Sequence, residues 1–490
     1  MRKAIIAATL GGALLAGCSA VGPNYVRPAL DAPPQWAEGA GAQDGKTAPS
    51  LEQTAWWKYF DDADLNYLME EAVRSNLDVK QARARIIQAR TEVVSAKAAG
   101  LPTANATASV DREDSGENTY AEGASTNATL YKTGFDASWE IDVFGGVRRS
   151  VEAAQARLDA SREELNDTLL TLLGDVAKYY IELRASQEQL DITRKNVDAQ
   201  QQSVEVARER HRLGLTSYLD AAQAQAQKTT TESDIPTYQN SIKQSIHRLG
   251  VLLGKEPGAL RARLLEDRPL PKADGVVAVG LPSDLLTRRP DLRQAERNLA
   301  AASADIGVAV ADLYPKFDLT LGLGVNSKST GNLLSLSSGY WSLVPELSTL
   351  LFDGGKTRAN IENKRAVYDE TLAKYRSTFL TALEDVENAL SAFQTEQARR
   401  KLLEDAVRSR REAVDLADEL YRKGLTNFID VLDAQRSLYS AQSSLVESES
   451  IILTNLVSLN KALGGGWDAP EIQRQDAHAL PNEKMAASEE

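Results

Sequence analysis

The chain has 490 residues, with 69 acidic against 56 basic side chains and a formal net charge of −13. No basic cluster breaks that acidic balance, which excludes recognition of a nucleic-acid backbone. A single cysteine excludes any intramolecular disulfide, and the three histidines, His211, His247 and His478, have no metal-ligand spacing.

Arg2 and Lys3 precede an apolar run from Ala4 to Leu15 that is too short to span a bilayer, so residues 1–17 read as a signal peptide. The run ends in Leu15-Ala16-Gly17-Cys18. Small residues before a cysteine suit a lipoprotein signal peptidase, so Cys18 is expected to become an acylated N-terminus. That covalent lipid is the only cofactor expected; a chance cysteine at this spacing is the alternative. Ser19, in place of aspartate, favours sorting to the outer membrane. Residues 18–62 form an N-terminal extension and linker, flexible over Ala37–Ser50. No later apolar run is long enough for a spanning helix, so a membrane crossing would have to use strands.

Segments 63–270 and 276–467 carry one internal repeat, offset by about 210 residues. Gly214-Leu215-Thr216-Ser217-Tyr218-Leu219-Asp220 returns as Gly424-Leu425-Thr426-Asn427-Phe428-Ile429-Asp430. Phe144-Gly145-Gly146 with Arg149 is echoed by Phe352-Asp353-Gly354-Gly355 with Arg358, and Leu253-Gly254 by Leu463-Gly464. Each copy reads helix, strand, strand, long helix, turn, helix. In the first long helix, 147–214, Leu169, Val176, Leu183, Leu190, Val197 and Val204 recur at sevens, as in a coiled-coil seam. The second, 356–424, keeps Phe379, Val386, Phe393, Val407 and Val414.

Each long helix should reach about 100 Å. The shorter helices, 77–101 with 218–254 and 290–313 with 428–464, add up to nearly the same length placed end to end. Pro236 is expected to kink helix 218–254 rather than end it. The chain would thus supply four helical columns of similar length. Residues 468–490 read as a flexible polar tail.

Between the helices, four segments alternate with period two, at about 103–110, 131–141, 317–326 and 341–352. Tyr131, Thr133, Phe135, Ala137, Trp139 and Ile141 point one way, and Lys132, Asp136, Ser138 and Glu140 the other. Outer-membrane strands have this length and alternation, with lipid outside and a polar lumen inside. Half-buried hairpins of a soluble domain are the alternative. Four strands cannot close a barrel, and an open edge is not tolerated in lipid, so several copies must share one. Two copies would give an eight-stranded barrel filled by side chains, and three a twelve-stranded one with a lumen. Twelve columns enclose a tube about 38 Å across and eight one of about 25 Å, so a wide duct favours three.

The lipobox, Trp56-Trp57-Lys58-Tyr59-Phe60-Asp61-Asp62, Phe144-Gly145-Gly146, Arg289-Pro290-Asp291-Leu292-Arg293 and Leu463-Gly464-Gly465-Gly466-Trp467 together resemble the OprM/NodT branch of the TolC-like outer membrane factors. The resemblance runs from about Cys18 to Trp467. It implies an α+β membrane protein: a homotrimer whose 12-stranded outer-membrane β-barrel is continuous with a 12-column periplasmic α-helical barrel. The implied function is the exit duct of a tripartite efflux pump, passing small toxic solutes or drugs. Implied partners are a periplasmic membrane-fusion adaptor, an inner-membrane transporter, usually proton-driven, and outer-membrane lipids.

The turns Gly214-Leu215-Thr216 and Gly424-Leu425-Thr426 reverse the long helices, and the resemblance implies that these tips contact the adaptor. Asp430 and Asp433 lie three apart on one helical face, so three-fold symmetry would make rings of carboxylates. By motif alignment the resemblance puts the periplasmic gate at Ile429, Asp433 and Arg436, and at Asp430 and Tyr421. Glu449 stands where a related branch has an arginine that pairs with gate carboxylates. The plainer reading is that acids near a helix start are solvated and favoured by the dipole. No nucleophile, base or metal constellation is present, so no enzymatic activity is expected. A type I protein-secretion duct and a lipid-tethered coiled-coil scaffold without a pore stay open as alternatives.

Overall fold

A computed structural model describes residues 20–38, 53–114, 127–272 and 282–469. Cys18, the signal peptide and the tail from residue 470 lie outside the described residues. The chain divides into two compact units, each drawing on both sequence repeats: residues 1–29, 85–162 and 294–376 form the first, and 30–84, 163–293 and 377–490 the second.

The first unit contains one antiparallel sheet in the order β1-β2-β3-β4, with β1 Thr103–Asp114, β2 Asn127–Ile141, β3 Lys316–Ser327 and β4 Gly339–Ser348. Register explains why the strands form here. Phe135 pairs with Ala106 on one side and Leu323 on the other, and Leu323 continues to Trp341; Ala137, Leu321 and Leu343 make the next such row. The rows of this parity are therefore largely apolar across the sheet, with Thr133 an exception, and the intervening rows carry Asn105, Asp136, Ser138, Thr320 and Ser342. The polar face is cross-linked by Lys132 to Asp111 at 3.0 Å and by the Thr107 hydroxyl donating to Asp136 at 3.0 Å. Phe135, Leu323, Trp341 and Leu343 on the apolar face are exposed. Strand β1 runs four residues past the expected end at Val110. Strand β4 stops at Ser348, four residues before Phe352, because its partner β3 begins at Lys316 and Lys316 pairs with Ser348.

Helices join this sheet at one end. The chain enters β1 from α2 (Leu77–Ala98), leaves β2 for α3 (Gly146–Arg212), enters β3 from α6 (Pro290–Ala311) and leaves β4 for α7 (Lys356–Arg422). Helices α3 and α7 have 67 residues each, about 100 Å at 1.5 Å per residue. Asp353 caps α7, accepting from the Gly355 and Thr357 backbone N–H at 2.9 and 2.7 Å. The Thr357 hydroxyl, donating at 2.7 Å, and then those backbone bonds hold its carboxyl at about 2.

The second unit is helical. Helix α1 (Ala63–Ser75) starts at Asp62, whose carboxylate accepts from the N–H of Asp64 and Leu65 and from the Tyr180 hydroxyl at 2.6 Å. Asp64 then receives Arg184 at 3.1 Å, Arg263 at 2.8 Å and Arg268 at 3.0 Å. Arg184 is fully buried and also donates to the Glu266 carbonyl and the Gln187 side chain. Trp36, Leu292, Phe379, Val386, Leu459 and Leu463 belong to one apolar core of this unit.

Sequence segment 218–254 folds as two helices, α4 (Tyr218–Glu232) and α5 (Asp234–Leu252), joined through Ser233 in right-handed helical backbone. Pro236 lacks the N–H that would bond the Glu232 carbonyl, so the helix breaks one turn before it and restarts with proline in the first turn. Helix α8 (Phe428–Ala462) is the last regular element among the described residues. Among the described residues no helix is long and apolar enough to cross a membrane.

Candidate functional site at the helix tips

Both long helices end in the same device. The Gly214 N–H donates to the His211 carbonyl at 2.8 Å and the Leu215 N–H to the Arg210 carbonyl at 2.9 Å; Gly424 and Leu425 repeat this with Tyr421 and Leu420, both at 2.9 Å. These are Schellman caps, and they need left-handed backbone, which the glycines adopt at φ +74 and +76. Two residues further on, Ser217 caps α4 through the Leu219 N–H. The turns leave Leu215 and Leu425 62% and 70% exposed, with Leu213, Tyr218 and Leu219 also exposed. Thr216 and Thr426 are half-buried.

Beneath the turns, Val204, Ala207, Ala221, Ala224, Tyr421, Phe428, Val431 and Leu432 pack into one small core shared by both tips. Its apolar spacing on α3, α4 and α8 buries one face of each helix. Tyr421 is buried, stacks at a tilt on Phe428 with centroids 5.1 Å apart, and donates its hydroxyl to Asp220 at 3.1 Å. Burial first, and then the Asp220 carboxylate, raise the Tyr421 phenol above its ordinary value. The Arg210 guanidinium lies 4.7 Å from the Tyr421 ring centroid and donates to the Arg422 carbonyl at 2.9 Å, tying the first long helix to the second tip.

The expected gate residues fall into three separate contacts. Asp430 is exposed and receives a hydrogen bond from the Thr426 hydroxyl. Asp433, one turn on and also exposed, pairs loosely with Arg436 at 3.6 Å, while Arg436 also donates to Gln227 on α4. Ile429 is exposed beside them. Tyr421 does not meet Asp430; its partner is Asp220 of the other tip. Glu449 lies on the same helix as Asp430 but about 28 Å along it. Burial chiefly, then Glu188, raise the Glu449 carboxyl, while Arg400 lowers it. His211 accepts no special duty: its Nδ1 lies 3.1 Å from the Thr216 carbonyl, inside its own turn.

Sequence reasoning missed Arg210, Gln227 and the Gln435 to Ser203 bond of 2.8 Å, all of which tie the two tips together. The repeat drew attention to what the copies share, and Arg210 has Leu420 as its counterpart. An arginine in the last turn of a helix, one residue before the aromatic position of the repeat, was the available signal.

Such tips can bind a partner through exposed leucines and can move through weak polar contacts; they hold nothing that performs covalent chemistry. The described residues contain no group of three or more His, Cys, Asp or Glu arranged to hold a metal. Family comparison agrees with a transport role. The outer membrane efflux protein family model matches residues 68–255 and 281–465. Nodulation protein T of Rhizobium leguminosarum bv. viciae is 33% identical over 473 residues, covering 95% of this chain and 94% of that protein. The toluene efflux pump outer membrane protein TtgC of Pseudomonas putida is 31% identical over 469 residues, covering 95% and 96%. The solved structure of the outer-membrane channel OprN aligns with a TM-score of 0.86 at 32% identity, covering 91% of this chain and 99% of that one. The chain belongs to the outer membrane efflux protein family, and it is the outer-membrane exit duct of an efflux pump, not an enzyme.

Proposed function

We propose that three copies of this chain assemble into one duct, in which three four-stranded sheets close a 12-stranded barrel above a helical barrel of twelve columns, the two sequence repeats contributing equally. One observation carries the reading: the sheet has a largely apolar exposed face and a polar face, and among the described residues β1 and β4 pair on one side only. In lipid each unpaired backbone group costs several kcal/mol, so these edges must meet other copies. Two copies would fill their barrel with side chains, whereas three leave a lumen.

The exposed leucines around Gly214 and Gly424 support docking of a periplasmic adaptor at the tips, with an inner-membrane transporter behind it. The pair Asp430 and Asp433, with Ile429, Arg436 and the Tyr421 to Asp220 bond, supports a gate at the same level. Cys18 carries a covalent lipid in this reading. The name of the toluene pump protein supports small apolar toxic solutes as cargo.

Single-channel conductance of the purified protein and of its Asp430→Ala, Asp433→Ala variant, with mass measured in detergent, tests this. A trimer whose small conductance rises in the variant is expected. A monomer without conductance overturns the assembly, and an unchanged trimeric pore moves the gate away from these carboxylates.

A further inference from the structure

We propose that residues 20–24 form a strap locked by Arg149, and that this lock fixes where the acylated N-terminus enters the bilayer, beside the helix-joined ends of the strands. The inference rests on the reading of Cys18 as the lipid-bearing residue.

Arg149, in the first turn of α3, is buried, and its guanidinium is spent almost entirely on the strap. Nε donates to the Val21 carbonyl at 3.0 Å; Nη2 reaches the Ala20 carbonyl at 3.3 Å, the Gly22 carbonyl at 3.4 Å and Asn24 Oδ1 at 2.7 Å; Nη1 takes Glu152 at 2.7 Å. The Val21 N–H in turn donates to the Phe144 carbonyl at 3.0 Å. A planar fork of donors matches several carbonyls at once, which a lysine ammonium cannot reproduce.

The backbone contacts are equally specific. Gly22 has φ +87, and a Cβ there would lie 2.4 Å from Gly307 Cα; a Cβ on Gly307 would lie 2.8 Å from Arg149 Cγ. A Cβ on Gly145 would meet that of Ala20 at 2.5 Å. Beyond the lock, Tyr25 packs on Ala156, Ala300 and Ala301 and donates its hydroxyl to the buried Glu296 at 2.6 Å.

The lock sits where the sheet ends. Phe144 stacks on Tyr314 with centroids 4.7 Å apart and lies 6.4 Å from Phe317, which pairs with Ile141 in the last row of β2 and β3. Aromatic rings at the end of an apolar strand face mark the level of a membrane interface. Cys18 precedes Ala20 by two peptide units, a reach of at most about 7 Å. A free tether of some twenty residues would instead wander about 25 Å. The lock therefore turns a loose leash into a fixed anchor point at the interface.

Two measurements on the full-length protein test this. Once Cys18 is acylated, a Pro23→Cys variant offers a single free thiol at an exposed position for a nitroxide label. The label is expected to be immobile, to lose its immobile component in Arg149→Gln and in the milder Asn24→Ala, and to recover part of it in Arg149→Lys. Cells fed a fatty acid with a diazirine near its carboxyl end should give cross-links concentrated on residues 139–147 and 312–318, and scattered ones in Arg149→Gln. A mobile label in the otherwise native protein, or scattered cross-links from it, overturns the proposal. An intact mass without acyl groups on Cys18 defeats the lipid reading and the anchoring role with it. A label that stays immobile in a Cys18→Ser background locates that failure in the lipid and not in the lock.

Discussion

Adjacent residues of β3 offer the sharpest test of the membrane-facing assignment. Leu321 sits at the midpoint of Lys316–Ser327, in the apolar row with Ala137 and Leu343; Thr320 sits in the next row with Ser138 and Val344, on the opposite face. An arginine facing lipid at the midplane of a barrel costs about 2–4 kcal/mol per chain. That corresponds to about 30- to 900-fold in the folded population. An arginine facing a watery lumen should cost no more than about 0.5 kcal/mol, as at other solvated surfaces. Leu321→Arg and Thr320→Arg change the same strand by the same side chain, so propensity and charge cancel in the comparison. Urea titration of each variant folded into lipid vesicles reads the difference. Equal costs, or a larger cost for Thr320→Arg, would refute the assignment of the apolar face to lipid.

Gly424→Ala forces a Cβ into left-handed backbone and should destabilise the tip by about 1–2 kcal/mol, measured by urea midpoint in detergent, whereas Gly258→Ala, with open space around its Cβ position, should be nearly neutral. Asp167→Asn tests the pH dependence: burial first, and then Asp291, raise the Asp167 carboxyl above the ordinary carboxylate value. The unfolded chain then ionises Asp167 at lower pH than the folded one, so stability falls as pH rises from the ordinary value through the raised one and stays lower above it. The variant should therefore be more stable than the native protein at neutral pH and lose that advantage in acid, as thermal unfolding in detergent across pH would reveal.

Period and length made most of the fold legible. Heptads on α3 needed no tertiary information, because Leu169, Val176 and Leu183 are all fully buried along one stripe. Strand β1 was faint because its apolar row is Ala104, Ala106 and Ala108, residues with little β preference that find their place through Phe135 and Ala137 on the next strand. The end of β4 was invisible for a related reason: it is set by where β3 begins, a fact about the partner. At the tips, the turns were readable from glycine and the repeat, but the contacts between them were not. Arg210 over Tyr421, and Arg436 on Gln227, join residues more than 200 positions apart, and no local spacing encodes that. The Arg149 lock is likewise illegible, although Arg149 belongs to a shared motif, because three of its partners are backbone carbonyls with no sequence signature and Asn24 lies 125 positions away.

A gate at the tips, as proposed, requires the second unit to open without coming apart, and its polar contacts divide accordingly. At Arg184 a fully buried guanidinium meets a nearly buried Asp64, and removing one partner of such a pair costs about 3–5 kcal/mol. At the tip, the Tyr421 to Asp220 and Thr426 to Asp430 bonds end on half-buried or exposed carboxylates and are each worth about 0.5–1.5 kcal/mol. Breaking both tip bonds thus costs about 1–3 kcal/mol, less than disturbing the one buried pair. Motion should concentrate at the tip, where the small shared core can separate while the Arg184 level stays closed. Hydrogen exchange should make this visible: backbone amides around residues 421–436 are expected to exchange at least about 100-fold faster than those around residues 180–187. Equal protection at the two levels would mean that the duct opens, if it opens at all, by moving the unit as a rigid body.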